Sequence, residues 1–147
     1  MIRYLANSAF LISICFTPAW SGETIVGYVK TTTPEAVLLT AQSPHIAKVG
    51  DPVVLGTTIK TNANGSIGIS LKDDTLLSFG PDTDFEITEF VYQPEADQLK
   101  LSMKLLKGTL QYISGIIAKL KPEAVSLNTP TGIIGVRGTR FVVKVAD

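Results

Sequence analysis

Five carboxylates stand close together in the middle of the chain: Asp73, Asp74, Asp82, Asp84 and Glu86. Crowded acids can hold calcium, or act as the acid and base of a glycoside hydrolase. A calcium loop needs alternating Asp or Asn positions closed by a Glu at its twelfth residue, and these acids do not have that spacing. A hydrolase needs two carboxylates facing one cleft, and nothing in the sequence selects such a pair. Set in "KDDT" and "GPDTD", the acids read as turn formers. His45 is the single histidine and cannot alone build a triad or a zinc site. There is no Gly-x-Ser-x-Gly elbow and no phosphate-cradling glycine loop. Tyr28, Tyr92 and Tyr112 suggest no sugar-stacking platform. The expectation is a non-enzyme with no catalytic residue, cofactor or metal.

One basic residue has unusual surroundings. In "TPTGIIGVRGTRF", Arg137 lies between Gly135-Val136 and Gly138-Thr139 in an otherwise apolar run. Two readings follow. Arg137 is a buried pin, its five donors spent on backbone carbonyls or on a carboxylate such as Asp73. Alternatively it is a hook for an anionic ligand or for the C-terminal group of a partner. The apolar neighbours favour the buried, structural reading, with the glycines admitting close backbone approach and Arg140 exposed by alternation.

These residues need elements to carry them. Short runs rich in Val, Ile, Leu, Thr and Phe recur along the chain, cut by Gly, Pro, Asn and Asp. Ile67, Ile69 and Leu71 alternate with small or polar neighbours, as do Phe85 and Ile87, and Leu99, Leu101, Met103 and Leu105. Period two marks half-buried strands, and a spacing of roughly 8–12 residues marks a sandwich or barrel. The fold class expected is all-β: one domain of short antiparallel strands in a sandwich or β-helix-like roll. "NANG", Asp73-Asp74 and Pro81-Asp82 supply the turns, with Asp74 as the left-handed residue. In "QYISGIIAKLKPE", Gly115 and the β-branched isoleucines favour strand and loop over one or two helical turns.

Ahead of this domain, Arg3 precedes the short apolar block "AFLISICF", and "TPAWSG" follows with Ala19 and Ser21 at −3 and −1 of a cut before Gly22. That is a secretory signal pattern, and it falls short of the about 20 apolar residues of a membrane span. Residues 1–21 are therefore expected to be a cleaved signal peptide and residues 22–147 the domain. Cys15, the single cysteine, would leave with it, which excludes disulfides, thiol catalysis and Cys-ligated metal from the mature chain. Of 147 residues, 45% are hydrophobic and 18% charged, enough for a core and incompatible with disorder. With 13 basic and 13 acidic residues and no basic tract, nucleic acid is not an expected partner.

The ordered motifs resemble the FecR domain, a periplasmic module named after the ferric citrate signalling regulator. The closing motif carries most of the likeness: Thr129-Pro130, then Gly135-Val136-Arg137-Gly138-Thr139 and Phe141. "GTTIKT" (56–61), "LKDDTLLSFGPDTDFEI" and "LLKGTL" (105–110) match the family's other segments in order, so the similarity covers roughly residues 45 to 145. Asp74 stands where the family's hairpin usually has Gly. Relatives that act as anti-sigma sensors carry a cytoplasmic regulatory segment and a membrane helix before this module, and a secretin-like domain often follows it. The resemblance implies the periplasmic module alone, without power to hold a sigma factor. It implies a periplasmic or secreted interaction module in envelope signalling or assembly, docking an envelope protein or envelope polymer along a sheet edge, with no stable membrane span after cleavage. Two alternatives stay open: a small secreted enzyme acting on carbohydrate, and a sensor fragment anchored by a retained signal segment.

Overall fold

The longest alternating segment organises the rest of the chain. The structure is a computed structural model and describes residues 22–138 and 140–146; the expected signal segment 1–21 and the motif residue Thr139 lie outside the described residues. Eight strands precede the central one: β1 (Ile25–Thr32), β2 (Ala36–Leu39), β3 (Pro44–Ile46), β4 (Pro52–Val54), β5 (Thr58–Thr61), β6 (Ile67–Leu71), β7 (Leu76–Phe79) and β8 (Asp84–Gln93). β9 (Gln98–Ile113) follows, then a five-residue helix, α1 (Ile116–Leu120), and the strands β10 (Val125–Thr129), β11 (Gly132–Gly135) and β12 (Arg140–Val145).

β9 belongs to two sheets. Its first half pairs antiparallel with β8 and parallel with β10, and its second half pairs antiparallel with β7 and β12. The strand order runs β3-β2-β5-β8-β9-β7-β6-β1-β4, with β10 and β11 continuing one sheet beyond β9 and β12 the other. The result is the expected all-β architecture, a curled and mainly antiparallel sheet folded over one core. That core takes Leu38, Ile59, Phe85, Ile87, Leu101, Met103 and Leu105 from one sheet. From the other it takes Val26, Val29, Ile67, Ile69, Leu71, Leu77, Leu110 and Tyr112. Phe79 and Phe85 meet between them, ring centroids 4.5 Å apart.

The inward phase of β9 changes along its length. Leu99, Leu101, Met103 and Leu105 point inward, then Leu106 and Lys107 are exposed, then Leu110 and Tyr112 point inward. The register with β8 slips where Phe85 pairs Leu105 but Asp84 pairs Lys107. Such an extra residue bends a strand and re-aims its side chains. Gly108 makes the bend possible: its φ is 95°, and a Cβ there would run into the side chain and backbone of Thr83.

The segment after β9 departs from the expected strand and loop. Residues Ile116–Leu120 are helical because the first turn's orphan N–H groups have acceptors elsewhere in the fold. Ile116 N–H donates to the Asp73 carbonyl (2.7 Å) and Ile117 N–H to the Asp73 carboxylate (3.1 Å). Tertiary capping overrides the weak β preference of the isoleucines.

Gly108→Ala should lower stability by more than about 2 kcal/mol, since it combines a left-handed backbone with a clash against a packed neighbour. Gly135→Ala, where a Cβ meets nothing within 4 Å, is the control and should melt within a degree or two of wild type. Thermal unfolding of both variants checks this.

Candidate functional site

The turn between β6 and β7 carries a fully enclosed carboxylate. Asp73 is 0% exposed. Its carboxylate accepts from Thr75 N–H (3.2 Å), Thr75 Oγ1 (2.8 Å) and Ile117 N–H (3.1 Å). Asp74 takes the left-handed conformation beside it, φ 67°. At the same end of the sheet Ser114 Oγ donates to the Gly138 carbonyl at 2.6 Å. Asp73 and Ser114 thus gather the start of β7, the end of β9, the start of α1 and the approach to β12. Gly115 is required here, because a Cβ would collide with the Asp73 carbonyl and Thr75 N.

A second polar node lies at the bend of β9. Thr61 Oγ1 donates to the Gly80 carbonyl (2.7 Å) and accepts from Thr83 N–H (3.0 Å). Thr83 Oγ1 donates to the same carbonyl (2.8 Å) and accepts from Thr109 N–H (3.2 Å). Pro81 and Asp82 form the turn between Gly80 and Thr83, with Asp82 at φ 52°. Neither Thr61, Thr75, Thr83 nor Ser114 stood out as a site residue from sequence. The repeated Thr at the end of each motif segment was the available signal.

Tyr112 sits between the nodes and the closing strand. Its ring is buried, pairs with Leu77, and stacks on Phe141 with centroids 4.7 Å apart. Its hydroxyl has no hydrogen-bond partner among the described residues. Burial pushes its pKa above the ordinary 10.0, and the Asp73 carboxylate adds to the push. The Ser114 and Thr75 hydroxyls stand close enough to pull it partly back without completing a hydrogen bond to it.

The closing motif is not arranged as its apolar letters implied. Thr129 Oγ1 donates to the Gly132 carbonyl (3.0 Å) across the turn at Pro130, and all four residues of β11 are exposed. Among the described residues of the motif the buried one is Val136; Arg137 is exposed. No described residue holds the Arg137 guanidinium by a hydrogen bond or ion pair, and the Asp73 carboxylate is already filled by backbone and hydroxyl donors. The expectation of a buried Arg137 is therefore corrected. β11 is an edge, so the isoleucines ahead of Arg137 do not enclose it. The flanking glycines do not serve close approach either: nothing lies within 4 Å of a Cβ at Gly135 or Gly138, and Gly138 is needed for its φ of 121°. Arg140 is exposed, as alternation implied, and with the Gln111 amide oxygen turned toward it, its Nε donates to that oxygen at 3.0 Å.

Arg137 opens onto a cleft of about 730 Å3 where the chain crosses from β11 toward β12. It is lined by Val125, Ser126 and Val136, by Gly135 and Gly138, and by Pro122 and Glu123. The remaining acids lie elsewhere. Asp84 and Glu86 line a hollow of about 240 Å3 with Lys60 and Lys104. Asp84 pairs Lys60 at 3.4 Å, and Glu86 lies directly across from Lys104. Among the described residues no three His, Cys, Asp or Glu side chains come together as a metal cluster.

A small all-β module pinned by two polar nodes, with an edge strand beside a cleft, is the class of protein these features define. The family model described as FecR protein matches residues 57–147, and the chain belongs to the FecR family. The match begins just before β5, later than the resemblance traced from residue 45. No curated protein and no solved structure matches the chain.

Two measurements test these assignments. Asp73→Ala strands three donors and should cost on the order of 3 kcal/mol, whereas Arg137→Ala should stay within about 0.5 kcal/mol of wild type, as surface changes do. Denaturant unfolding of both reads the difference, and the reverse order would restore Arg137 as the pin. Tyr112→Phe removes a buried hydroxyl with no partner, so at pH 7 it should be as stable as wild type or up to about 1 kcal/mol better. A raised folded-state pKa contributes stability that is present below the ordinary phenol value and is lost as pH rises through the folded value. The melting temperature of wild type should therefore fall more steeply above about pH 10 than that of Tyr112→Phe.

Proposed function

We propose that this chain is a non-enzymatic periplasmic interaction module of the cell envelope, exported by its first 21 residues and serving signalling or assembly. It works by accepting a strand of a partner along the open edge of β11. The family match supports a signalling-related role. The observation that carries the edge reading is a contrast among the four sheet margins. β3 and β4 are three residues long and each starts with a proline, Pro44 and Pro52. β12 carries Arg140 and Lys144 on its exposed face. These are the usual guards against strand addition. β11, "GIIG", has no charge and no proline, pairs with β10 alone among the described strands, and leaves Ile133 75% exposed. An unguarded edge in a protein that guards its others is a docking edge. Against a carbohydrate-acting enzyme stand Asp73, Asp74 and Asp82, engaged in turns, and Asp84, paired with Lys60.

The test is site-specific photo-crosslinking in cells. A photo-reactive residue at position 133 should give a discrete adduct in the periplasmic fraction, one at His45 on the β3 edge should not, and Ile134→Lys should abolish the adduct. Equal adducts from both edges would remove β11 as the docking edge. Intact mass from the same fraction should match a chain beginning at or near Gly22, and a mass retaining residues 1–21 would favour an anchored form.

A further inference from the structure

We propose that the occupant of the β11 edge is an extended protein segment bearing an acidic side chain, and that Arg137 reads that carboxylate. This rests on the edge-docking reading above and adds the chemistry of the partner. Three observations converge.

The first is continuity. β11 ends at Gly135, and Gly135 also lines the Arg137 cleft. One strand laid against β11 therefore runs directly into the cleft. At about 3.3 Å per residue, four residues cover the edge and two more reach Arg137.

The second is an unfinished core. Ile134 pairs with Leu127, so the two side chains share a face; Leu127 is fully buried, yet Ile134 is 38% exposed. An added strand would place a residue beside Ile134 and cover it. That residue should be apolar, and the acid should stand about three positions away, at Arg137.

The third is charge. The Arg137 guanidinium is exposed, has no partner among the described residues, and does not pair with Glu123, which lines the same cleft. It offers a planar fork suited to a carboxylate. Glu123 accepts hydrogen bonds and suits the backbone N–H groups of a peptide. Among the described residues no aromatic side chain lines the cleft to offer the stacking surface expected for a sugar polymer, and a peptide fits the chemistry better.

The probe is a fluorescein-labelled, end-blocked peptide of alternating threonine and valine, with one glutamate three positions from the central valine. Matched peptides carry glutamine or lysine at that position. Anisotropy with the purified protein should show the glutamate peptide binding about tenfold tighter than the glutamine peptide. Arg137→Gln should erase that preference while both peptides still bind, and Arg137→Glu should turn it toward the lysine peptide. Ile134→Lys should weaken all three. Equal binding of the glutamate and glutamine peptides by wild type would overturn the carboxylate reading and leave the edge reading standing. Unchanged binding by Ile134→Lys, or no binding of any peptide, would overturn both. Sedimentation of the protein without peptide gives the remaining outcome: a dimer that Ile134→Lys converts to monomer would make a second copy of this chain the occupant and refute the acidic segment.

Discussion

The fold depends on an anion held by neutral donors. Asp73 is fully buried, and no cation among the described residues pairs with it; a backbone N–H and a hydroxyl of Thr75 and the N–H of Ile117 do the work. A buried carboxylate is tolerable only when its oxygens are so occupied. The consequence is long-range order. To satisfy Asp73 the chain must bring the β6–β7 turn against the start of α1, which fixes where β9 stops. Ser114, next to that stop, then fixes Gly138 and with it the approach to β12. One turn residue therefore sets the ends of three neighbouring strands.

The threonine node repeats this logic with neutral groups. Thr61, Gly80, Thr83 and Thr109 close on one another at the bend of β9. The scattered letters of the family pattern fall on these two nodes. "GTTIKT" contributes Thr61, "GPDT" contributes Gly80 and Thr83, "KGTL" contributes Gly108 and Thr109, and "DDT" contributes Asp73 and Thr75. The pattern is largely a record of how the sheets are fastened. Arg137 is the member that fastening does not explain, since it faces outward beside the open edge.

Much of the architecture was legible in the sequence. Period-two alternation located β6, the first half of β9 and the inward residues of β8, because apolar side chains facing the core alternate there with small or polar ones. The left-handed Asp74 and the turn at Pro81-Asp82 were legible because turn chemistry is local. What was not legible depended on contacts distant in sequence. The phase change in β9 is imposed by Thr83 against Gly108. The helix after Gly115 is capped by a residue 44 positions earlier. Arg137 was misread for a related reason: apolar neighbours imply burial only if the strand carrying them has company on both sides, and β11 has it on one.

The central place of β9 bears on how the chain acquires its structure. Four strands lie to each side of β9 in the sheet order, and those eight all precede it in sequence. The chain also alternates between the two flanks, from β1 to β2, from β3 to β4 and again from β4 to β5. Among the described strands none of one flank pairs with a strand of the other, so the sheet becomes continuous only when residues 98–113 are in place, and β10 and β12 pair with the same segment. Contacts this non-local are slow to form. A chain emerging from its N-terminus therefore stays incomplete for most of its length. It remains exposed to off-pathway strand pairing until β9 is made.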